Sequence, residues 1–207
     1  MLIWLMIIAG AIFLDQLSKW LTVMNLEYIA PPKSPDTSPV IQDVFHFTYV
    51  RNTGAAFSMF NEPDERWIFM SISTVAIIAL SIYLWKKRND SKLLGVALSF
   101  IIGGGIGNMI DRCLLGYVID MLDFRIINFA IFNVADTFVC VGVGLFALYI
   151  ILDEINNSKK NKSANVEINI KNNISVIGNN NESNVDINIG NITINQNDNA
   201  ENDNQAD

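Results

Sequence analysis

The sequence is poor in the side chains that most catalytic and metal sites use. Its 207 residues include one histidine, His46, and two cysteines, Cys113 and Cys140. The two cysteines fit no metal-ligand spacing and suggest no disulfide framework. No serine or cysteine motif surrounds His46, so a catalytic triad is not indicated. Nothing in the sequence calls for a metal or a cofactor.

Basic residues are also few. The chain has 14 lysines and arginines against 21 aspartates and glutamates, which gives a net charge of −7. A nucleic-acid-binding protein needs a basic face, so no nucleic-acid partner is predicted. The charges that are present avoid several long windows and crowd into the segments between them.

Four windows of the chain are almost entirely apolar. They cover residues 1–23, 67–85, 93–110 and 126–152. A helix needs about 20 residues to span a hydrocarbon layer of ~30 Å, so each window qualifies as a transmembrane helix. The predicted fold is an all-α membrane protein with four such helices. The first window lacks the basic leader and small-residue cleavage site of a signal peptide, so it is predicted to be retained.

Basic clusters predict the orientation of these helices. Residues 86–92, KKRNDSK, precede the third helix, and Lys159, Lys160 and Lys162 follow the fourth. Both clusters lie on one side of the membrane, and the positive-inside rule makes that side cytoplasmic. The loop 24–66 has more acidic than basic residues and is placed outside. Both termini are then predicted to be cytoplasmic.

The outer loop is predicted to contain a small sheet. Its proline-rich segment 30–39 is expected to be irregular, and residues 40–50 are expected to form a strand. Residues 51–60 are expected to form a turn followed by an apolar segment that rests at the bilayer surface.

The C-terminal tail, residues 158–207, differs in kind. It is rich in asparagine and contains NVEINI (165–170) and NVDINI (184–189), two copies of one repeat. Low complexity favours disorder, although the Asn/Ile alternation is also compatible with paired strands. We predict a four-helix membrane domain over 1–157 and a disordered cytoplasmic tail over 158–207.

Polar side chains converge on the outer leaflet in this topology. They are Asp15, Lys19, GNMIDRC (107–113), Asp120, Asp123 and FNVAD (132–136). Placing an ionisable residue within the membrane costs about 2.5–3.5 kcal/mol, so such residues are functional candidates by default.

Most of these groups also have a structural explanation. Asp15 and Lys19 are four residues apart on one helix and can neutralise each other. Asp111 closes the third helix at the interface, and Asp123 is compatible with a solvated loop charge. The GxxxG motif at 103–107 favours close packing against a neighbouring helix.

Asp136 is harder to explain structurally. It lies about one turn into the fourth helix, where the helix dipole stabilises a carboxylate, but apolar residues precede it. The alternative is a pair with Asp120 around one water, in which the two carboxyl groups share a proton. The ionised member takes a proton from water as it attacks a peptide carbonyl. The protonated member hydrogen-bonds the carbonyl oxygen and later protonates the leaving amine.

Four motifs in this order resemble those of lipoprotein signal peptidase, also called signal peptidase II. They are DQLSK (15–19), RNTGAAFS (51–58), GGGIGNMIDR with GYVID (103–120), and FNVAD (132–136). The resemblance covers residues 1 to about 155. It implies a bacterial inner-membrane aspartic peptidase that removes signal peptides from prolipoproteins, cutting before a cysteine that already carries diacylglycerol. Membrane lipid and the inhibitor globomycin are further implied partners.

The resemblance also implies roles for single residues. Asp120 and Asp136 look like the catalytic pair. The implied substrate-contacting or site-shaping residues are Asn52, Asn108, Arg112 and Asn133, and the implied supporting residues are Asp15 and Lys19. An extracytoplasmic β-cradle with a surface helix is expected over 40–66. Met121 stands where the family commonly has phenylalanine, and the tail lies outside the family pattern.

Two other function classes stay open from the residues alone. An ion or proton carrier would use Asp15, Asp120 and Asp136 as a cation site. It would also need a polar path through both leaflets, and the inner leaflet is apolar here. A non-enzymatic lipid-binding or assembly protein would need the carboxylates only for packing, so Asp→Asn substitutions would leave it working.

Overall fold

Four long helices dominate the computed structural model, which describes residues 1–31, 33, 35–54, 65–127, 129–179, 185–189 and 192–196. The helices are α1 (Leu2–Asn25), α2 (Glu65–Lys87), α3 (Lys92–Leu114) and α4 (Val134–Asn179). Each contains a stretch that is long and apolar enough to cross a membrane. The four predicted membrane helices are therefore confirmed. The chain divides into two compact units, Met1–Ile150 and Ile151–Asp207.

Large apolar side chains cover the outer faces of the helices. Phe13 and Trp20 of α1 and Val75 of α2 are each more than half exposed. Soluble proteins rarely expose apolar surface of this extent. In a bilayer the same side chains contact lipid tails, which are as apolar as they are.

Glycines let the neighbouring helices approach α3 closely. A Cβ atom at Gly103 would lie 2.8 Å from the Cβ of Ala11, on α1. On α4, a Cβ at Gly142 would lie 2.8 Å from the carbonyl oxygen of Ala97 in α3. Real Cβ atoms essentially never come this close to other atoms, so only glycine fits at both positions. The close packing predicted from the GxxxG motif is confirmed at Gly103.

A three-stranded antiparallel sheet adjoins the helices. Its strands are β1 (Thr37–Ile41), β2 (Phe45–Asn52) and β3 (Val118–Phe124), in the order β1-β2-β3. The pairing of β2 with β3 sets Val50 opposite Asp120 and Asn52 opposite Val118. Met121 is buried in the small core of this sheet. The sheet therefore brings Asn52 and Asp120, which are far apart in sequence, to one end of two neighbouring strands.

The sheet differs from the local predictions in two places. The single strand predicted over 40–50 is a hairpin, in which residues 42–44 form the turn between β1 and β2. Asp43 has φ 59° there, a left-handed conformation that aspartate tolerates because its short polar side chain can bond locally. The loop predicted between the third and fourth helices contains β3, whose first four residues are all buried. A strand buried in this way shows no polar–apolar alternation, so its sequence gives no period-2 signal.

A short pairing closes the segment between β3 and α4. The N–H of Phe132 donates to the carbonyl oxygen of Leu122 at 3.2 Å, and the Leu122 N–H donates to the Phe132 carbonyl at 2.8 Å. The segment enclosed by this pairing includes one turn of 3₁₀ helix, Arg125–Ile127. The surface helix predicted after Gly54 falls within residues 55–64, outside the described part of the chain.

The asparagine-rich tail has regular structure in its described residues. α4 continues to Asn179, so the first copy of the repeat is helical. Five of the six residues of the second copy form the whole of β4 (Val185–Ile189), which pairs with β5 (Ile192–Gln196). The sequence favoured disorder here. Extending an existing helix avoids the cost of nucleation, and Asn/Ile alternation suits a hairpin, so the two copies adopt different structures.

Candidate active site

A cavity of about 680 Å³ lies among the sheet, α3 and α4. Its walls include five of the six residues predicted to be catalytic or substrate-contacting, namely Asn52, Asn108, Arg112, Asp120 and Asp136. The sixth, Asn133, is fully buried and does not line the cavity. The fold therefore brings together polar residues from four elements that are separated in sequence. Much of the remaining wall is apolar.

Asp120 lies on β3, and only 2% of it is exposed. The Asn52 side-chain amide donates to its Oδ2 at 2.9 Å, and that of Asn133 donates to its Oδ1 at 2.7 Å. Burial raises the pKa of Asp120 to about 7, and the nearby negative charge of Asp136 acts in the same direction. The two amide donors and the charge of Lys19 lower this pKa, but burial outweighs them. At neutral pH, Asp120 is therefore poised to hold a proton.

Asp136 lies in the first turn of α4, where it exchanges two hydrogen bonds with Asn133. The Asp136 N–H donates to Asn133 Oδ1 at 2.9 Å, and the Asn133 N–H donates to Asp136 Oδ2 at 3.2 Å. This is the reciprocal arrangement of a capping box, formed here by asparagine and aspartate. Sequence reasoning gave the helix-end role too little weight. The N-x-x-D spacing at the start of the fourth helix is the signal that could have found it.

Asn108 and Asn133 join the two acidic residues in one network. Asn108 donates to Asp136 Oδ1 at 2.8 Å, and its own Oδ1 accepts from Asn133 Nδ2 at 3.0 Å. The same Nδ2 group of Asn133 donates to Asp120. Each carboxyl group therefore accepts at least two hydrogen bonds from the protein. A side-chain network of this kind fixes the orientation of its members.

Lys19 lies beside this network and is also only 2% exposed. Its Nζ is 2.8 Å from Asp15 Oδ2, so the predicted i,i+4 pair is present. It is also 2.9 Å from Asp111 Oδ2 and donates to Asn108 Oδ1 at 3.0 Å. Asp111 was interpreted as an ordinary interfacial charge, and that interpretation is wrong, because the residue is buried and paired. Asn108 and Asp111 are three residues apart on one helix face, and that spacing is the only sequence signal for the contact.

Arg112 lines the cavity and is partly buried. Its Nη1 donates to the Asn108 carbonyl at 3.4 Å. Within the described part of the chain, no carboxylate lies within ion-pair distance of its guanidinium. Most of its donors are therefore free to bind acceptors of another molecule in the cavity.

Arg51, to which the sequence assigned no role, lines another part of the cavity wall. Its guanidinium carbon lies 3.9 Å from the ring centroid of Tyr28, 4.9 Å from that of Tyr117 and 5.6 Å from that of Tyr49. Its Nε also donates to the Tyr49 hydroxyl at 3.2 Å. Cation–π contacts hold the side chain in place. Tyr28 and Tyr117 are distant from Arg51 in sequence, so no local pattern reveals their contacts with it.

A second polar group lies within the sheet. Asp123 accepts hydrogen bonds from Thr48 at 2.8 Å and from Arg125 at 3.0 Å. It is largely buried, so the expectation of a solvated loop charge is wrong. His46 is buried and interacts with Thr37 at 3.1 Å. Among the described residues, no cluster of three or more histidines, cysteines and carboxylates is arranged to hold a metal ion.

Comparisons with known proteins agree on one family. Residues 7–152 match the family model described as signal peptidase (SPase) II. A lipoprotein signal peptidase from Brevibacillus brevis is 41% identical over 160 residues, which cover 77% of this chain and 99% of the relative. A lipoprotein signal peptidase from Gloeothece citriformis is 43% identical over 162 residues, covering 77% of this chain and 94% of the relative.

A solved structure shares the fold. It is a bacterial membrane enzyme determined by the in meso method at 2.3 Å resolution. The TM-score is 0.66 and the sequence identity 30%, with 74% of this chain and 90% of that chain covered. With the four apolar helices, this similarity makes the chain a multi-pass membrane protein.

Proposed function

The chain belongs to the signal peptidase II family, and from that premise we propose that it is a membrane aspartic endopeptidase. Its substrates are diacylglyceryl-modified prolipoproteins, and it cuts before the lipidated cysteine. The family itself supports the coarser statement, that the protein is a protease that cleaves lipoprotein signal peptides. The aspartic mechanism and the position of the cut are the proposed part.

The observation that carries the proposal is the shared network around Asp120 and Asp136. Both carboxyl groups line one cavity. Asn108 donates to Asp136, Asn133 donates to Asp120 and to Asp136, and the two asparagines bond to each other. Two acidic side chains held close together share one proton. The pKa of Asp120, raised to about 7 by burial, favours Asp120 as the member that holds this proton.

Hydrolysis then needs only these two groups and one water. The water oxygen attacks the scissile carbonyl carbon while Asp136 takes a proton from the water. Protonated Asp120 hydrogen-bonds the carbonyl oxygen at the same time. The C–N bond breaks as Asp120 protonates the leaving amine. One proton then remains on Asp136, and its transfer within the pair restores the starting state.

The remaining cavity wall suits a lipidated, partly extended substrate. Phe129, Ile131 and Val141 provide apolar surface, which matches acyl chains and an apolar signal helix. Arg112 and Asn52 provide donors for backbone carbonyls of the segment around the cut. Because the site adjoins the ends of membrane helices, the substrate enters laterally from lipid.

Three further expectations belong to the same proposal. The protein lies in the bacterial inner membrane, and both of its termini are cytoplasmic. The active site faces the outer side of that membrane. Globomycin inhibits the enzyme by occupying the cavity that contains the two carboxyl groups.

The direct test is cleavage by the purified full-length protein in lipid. The substrate is a diacylglyceryl-modified prolipoprotein, and the readout is its mass shift on a gel. Asp120→Asn and Asp136→Asn run beside Asp153→Asn, which changes an exposed carboxylate on α4. We expect cleavage by the wild type and the control and none by the two dyad variants. A folded wild type that does not cleave would overturn the proposal, and cleavage by both dyad variants would overturn the assigned pair.

A further inference from the structure

Two backbone amides at the site bind buried carboxylates, and each amide immediately precedes a dyad residue. The Ile119 N–H, one position before Asp120, donates to Asp111 Oδ2 at 3.1 Å. The Ala135 N–H, one position before Asp136, donates to Asp15 Oδ1 at 2.9 Å. Asp111 holds the start of β3, and Asp15 holds the start of α4.

Lys19 connects these two carboxylates. Its Nζ lies 2.8 Å from Asp15 Oδ2 and 2.9 Å from Asp111 Oδ2, so one ammonium group binds both acids. Gln16 also bridges them, because its Nε2 donates to Asp111 Oδ1 at 3.0 Å and to Asp15 Oδ2 at 3.2 Å. The three charged side chains are each at least 97% buried.

We propose that Asp15, Lys19 and Asp111 form a positioning clamp that sets how far apart the Asp120 and Asp136 carboxyl groups lie. Each acid fixes the backbone one residue before a dyad member, and Lys19 fixes the two acids to each other. The inference rests on the proposed function, since it concerns the geometry of the proposed catalytic pair. It makes Asp111 a positioning residue and gives Asp15 and Lys19 a defined task.

Stability alone is a poor explanation for this clamp. Replacing a buried ion pair or triad by well-packed apolar residues is often neutral or stabilising, because the desolvation penalty is large. Placing charged side chains within a membrane protein carries a further energetic cost. A positioning role explains why the three charged residues are present, because displacing a catalytic group by about 1 Å can lower the rate on the order of 10²-fold.

Gly107 provides the space for the clamp. A Cβ at this position would lie 2.6 Å from Asp15 Oδ2 and 3.4 Å from the Cβ of Ala135. A side chain here would therefore clash with the Asp15 carboxylate, which binds Lys19 and the Ala135 amide. The absence of a side chain at Gly107 therefore leaves the space that Asp15 needs to contact α4.

The first test reads the amide contacts without any activity. In the full-length protein in detergent, selective ¹⁵N labelling of isoleucine and alanine reports the Ile119 and Ala135 amide protons. An amide that donates to a carboxylate makes a stronger bond than one that donates to a neutral acceptor. We expect Asp111→Ala to shift the Ile119 amide upfield more than the Ala135 amide, and Asp15→Ala to do the reverse. Lys19→Met is expected to move both.

The second test compares the conservative and the truncating variants in the cleavage assay. Asparagine at 111 keeps an oxygen that can accept the Ile119 N–H, whereas alanine does not. We expect kcat to fall on the order of 10²-fold in Asp111→Ala and clearly less in Asp111→Asn, with KM nearly unchanged in both. If Asp111 only balanced the charge of Lys19, the two variants would lose the same activity, since both remove its charge.

Asp123→Asn is the matched control, because it removes another buried carboxylate from β3 that does not touch the clamp. We expect its kcat per folded molecule to stay near the wild-type value. The amount of folded protein is measured by size-exclusion chromatography and thermal unfolding. If Asp111→Ala does not fold, Asp111→Asn and Asp15→Asn are used in both tests. Unmoved amides, or moved amides with unchanged kcat, would overturn the clamp. An inactive wild type would contradict the proposed function instead, and the amide measurement would still test the contacts.

Discussion

Asn133 and Asp136 exchange two hydrogen bonds across the first turn of α4. One oxygen of Asp136 therefore caps its own helix, while the other accepts from Asn108 in the network that also includes Asn133 and Asp120. The helix-end role of this carboxylate is observed, and it is compatible with the proposed chemical role. The two roles concern different oxygens of the same side chain, and this makes them separable by substitution.

Asp136→Asn and Asp136→Ala should differ in stability and agree in activity. Asparagine keeps an oxygen for the Asn133 N–H, whereas alanine removes it. Losing a capping side chain costs about 0.5–2 kcal/mol. We expect both variants to be inactive, and only Asp136→Ala to lower the thermal unfolding midpoint. Equal midpoints for the two variants would show that the capping bond contributes nothing to stability.

The cleavage rate should fall as the pH rises through about 7. Burial raises the pKa of Asp120 to about 7, so its protonated form is lost above that pH. Proton donation to the leaving amine is lost with it. The measurement is kcat across the pH range, and the midpoint of the alkaline limb belongs to the coupled pair rather than to one residue.

Asn52→Leu should move this alkaline limb to higher pH. Asn52 donates to the Asp120 carboxylate and so lowers the pKa of Asp120. Leucine has a similar volume and keeps the site dry, but it cannot donate, so the pKa rises. Asn157→Leu, at an exposed position on α4, is the control that leaves the limb in place. A limb that moves to lower pH would contradict the assignment of the proton to Asp120.

Arg112→Lys should weaken substrate recognition although it keeps the charge. A lysine cannot reproduce two parallel donor contacts from one planar group. Hydrogen bonds to charged groups contribute roughly 1.5–3 kcal/mol, so kcat/KM should drop about tenfold or more. Arg125→Lys, which lies outside the cavity wall, is the control. Unchanged kinetics in Arg112→Lys would remove Arg112 from the list of substrate contacts.

Gly107→Ala should reduce activity far more than Gly144→Ala. The added methyl group at 107 meets Asp15, whereas a Cβ at Gly144 meets no atom within 4 Å. Alanine is favoured over glycine in a helix by about 0.8–1.0 kcal/mol, so the Gly144 variant should be at least as stable as the wild type. The comparison uses kcat and the thermal midpoint of both variants. Equal activity in the two would mean that Asp15 can move without consequence.

The sequence was sufficient for the parts of the fold that depend on composition. Charge-free windows specify membrane helices because the bilayer imposes their length and polarity. The same reasoning placed Asp15, Lys19 and Asp136 in one leaflet. In the structure Asp15 pairs with Lys19 and also bonds to the backbone of Ala135, the residue before Asp136.

Contacts between distant residues could not be predicted in the same way. The burial of Asp111 depends on Lys19 arriving from another helix, and that of Asp123 depends on the pairing of β3 with β2. The turn at Asp43 breaks a segment that reads locally as one strand. For Asp111 and Asp123 the deciding partner lies far away in the chain, where neither propensity nor spacing reports it.

The pairing of Phe132 with Leu122 has a consequence for how this enzyme can diversify. It anchors the segment between β3 and α4 at both ends. That segment contributes Phe129 and Ile131 to the cavity wall, yet none of its described residues between 125 and 131 hydrogen-bonds to Asp120 or Asp136. Insertions and substitutions there can therefore reshape the wall while the carboxyl groups stay in place. With Asp120 and Asp136 as the proposed catalytic pair, substrate range and hydrolytic chemistry can evolve separately, because different stretches of the chain encode them.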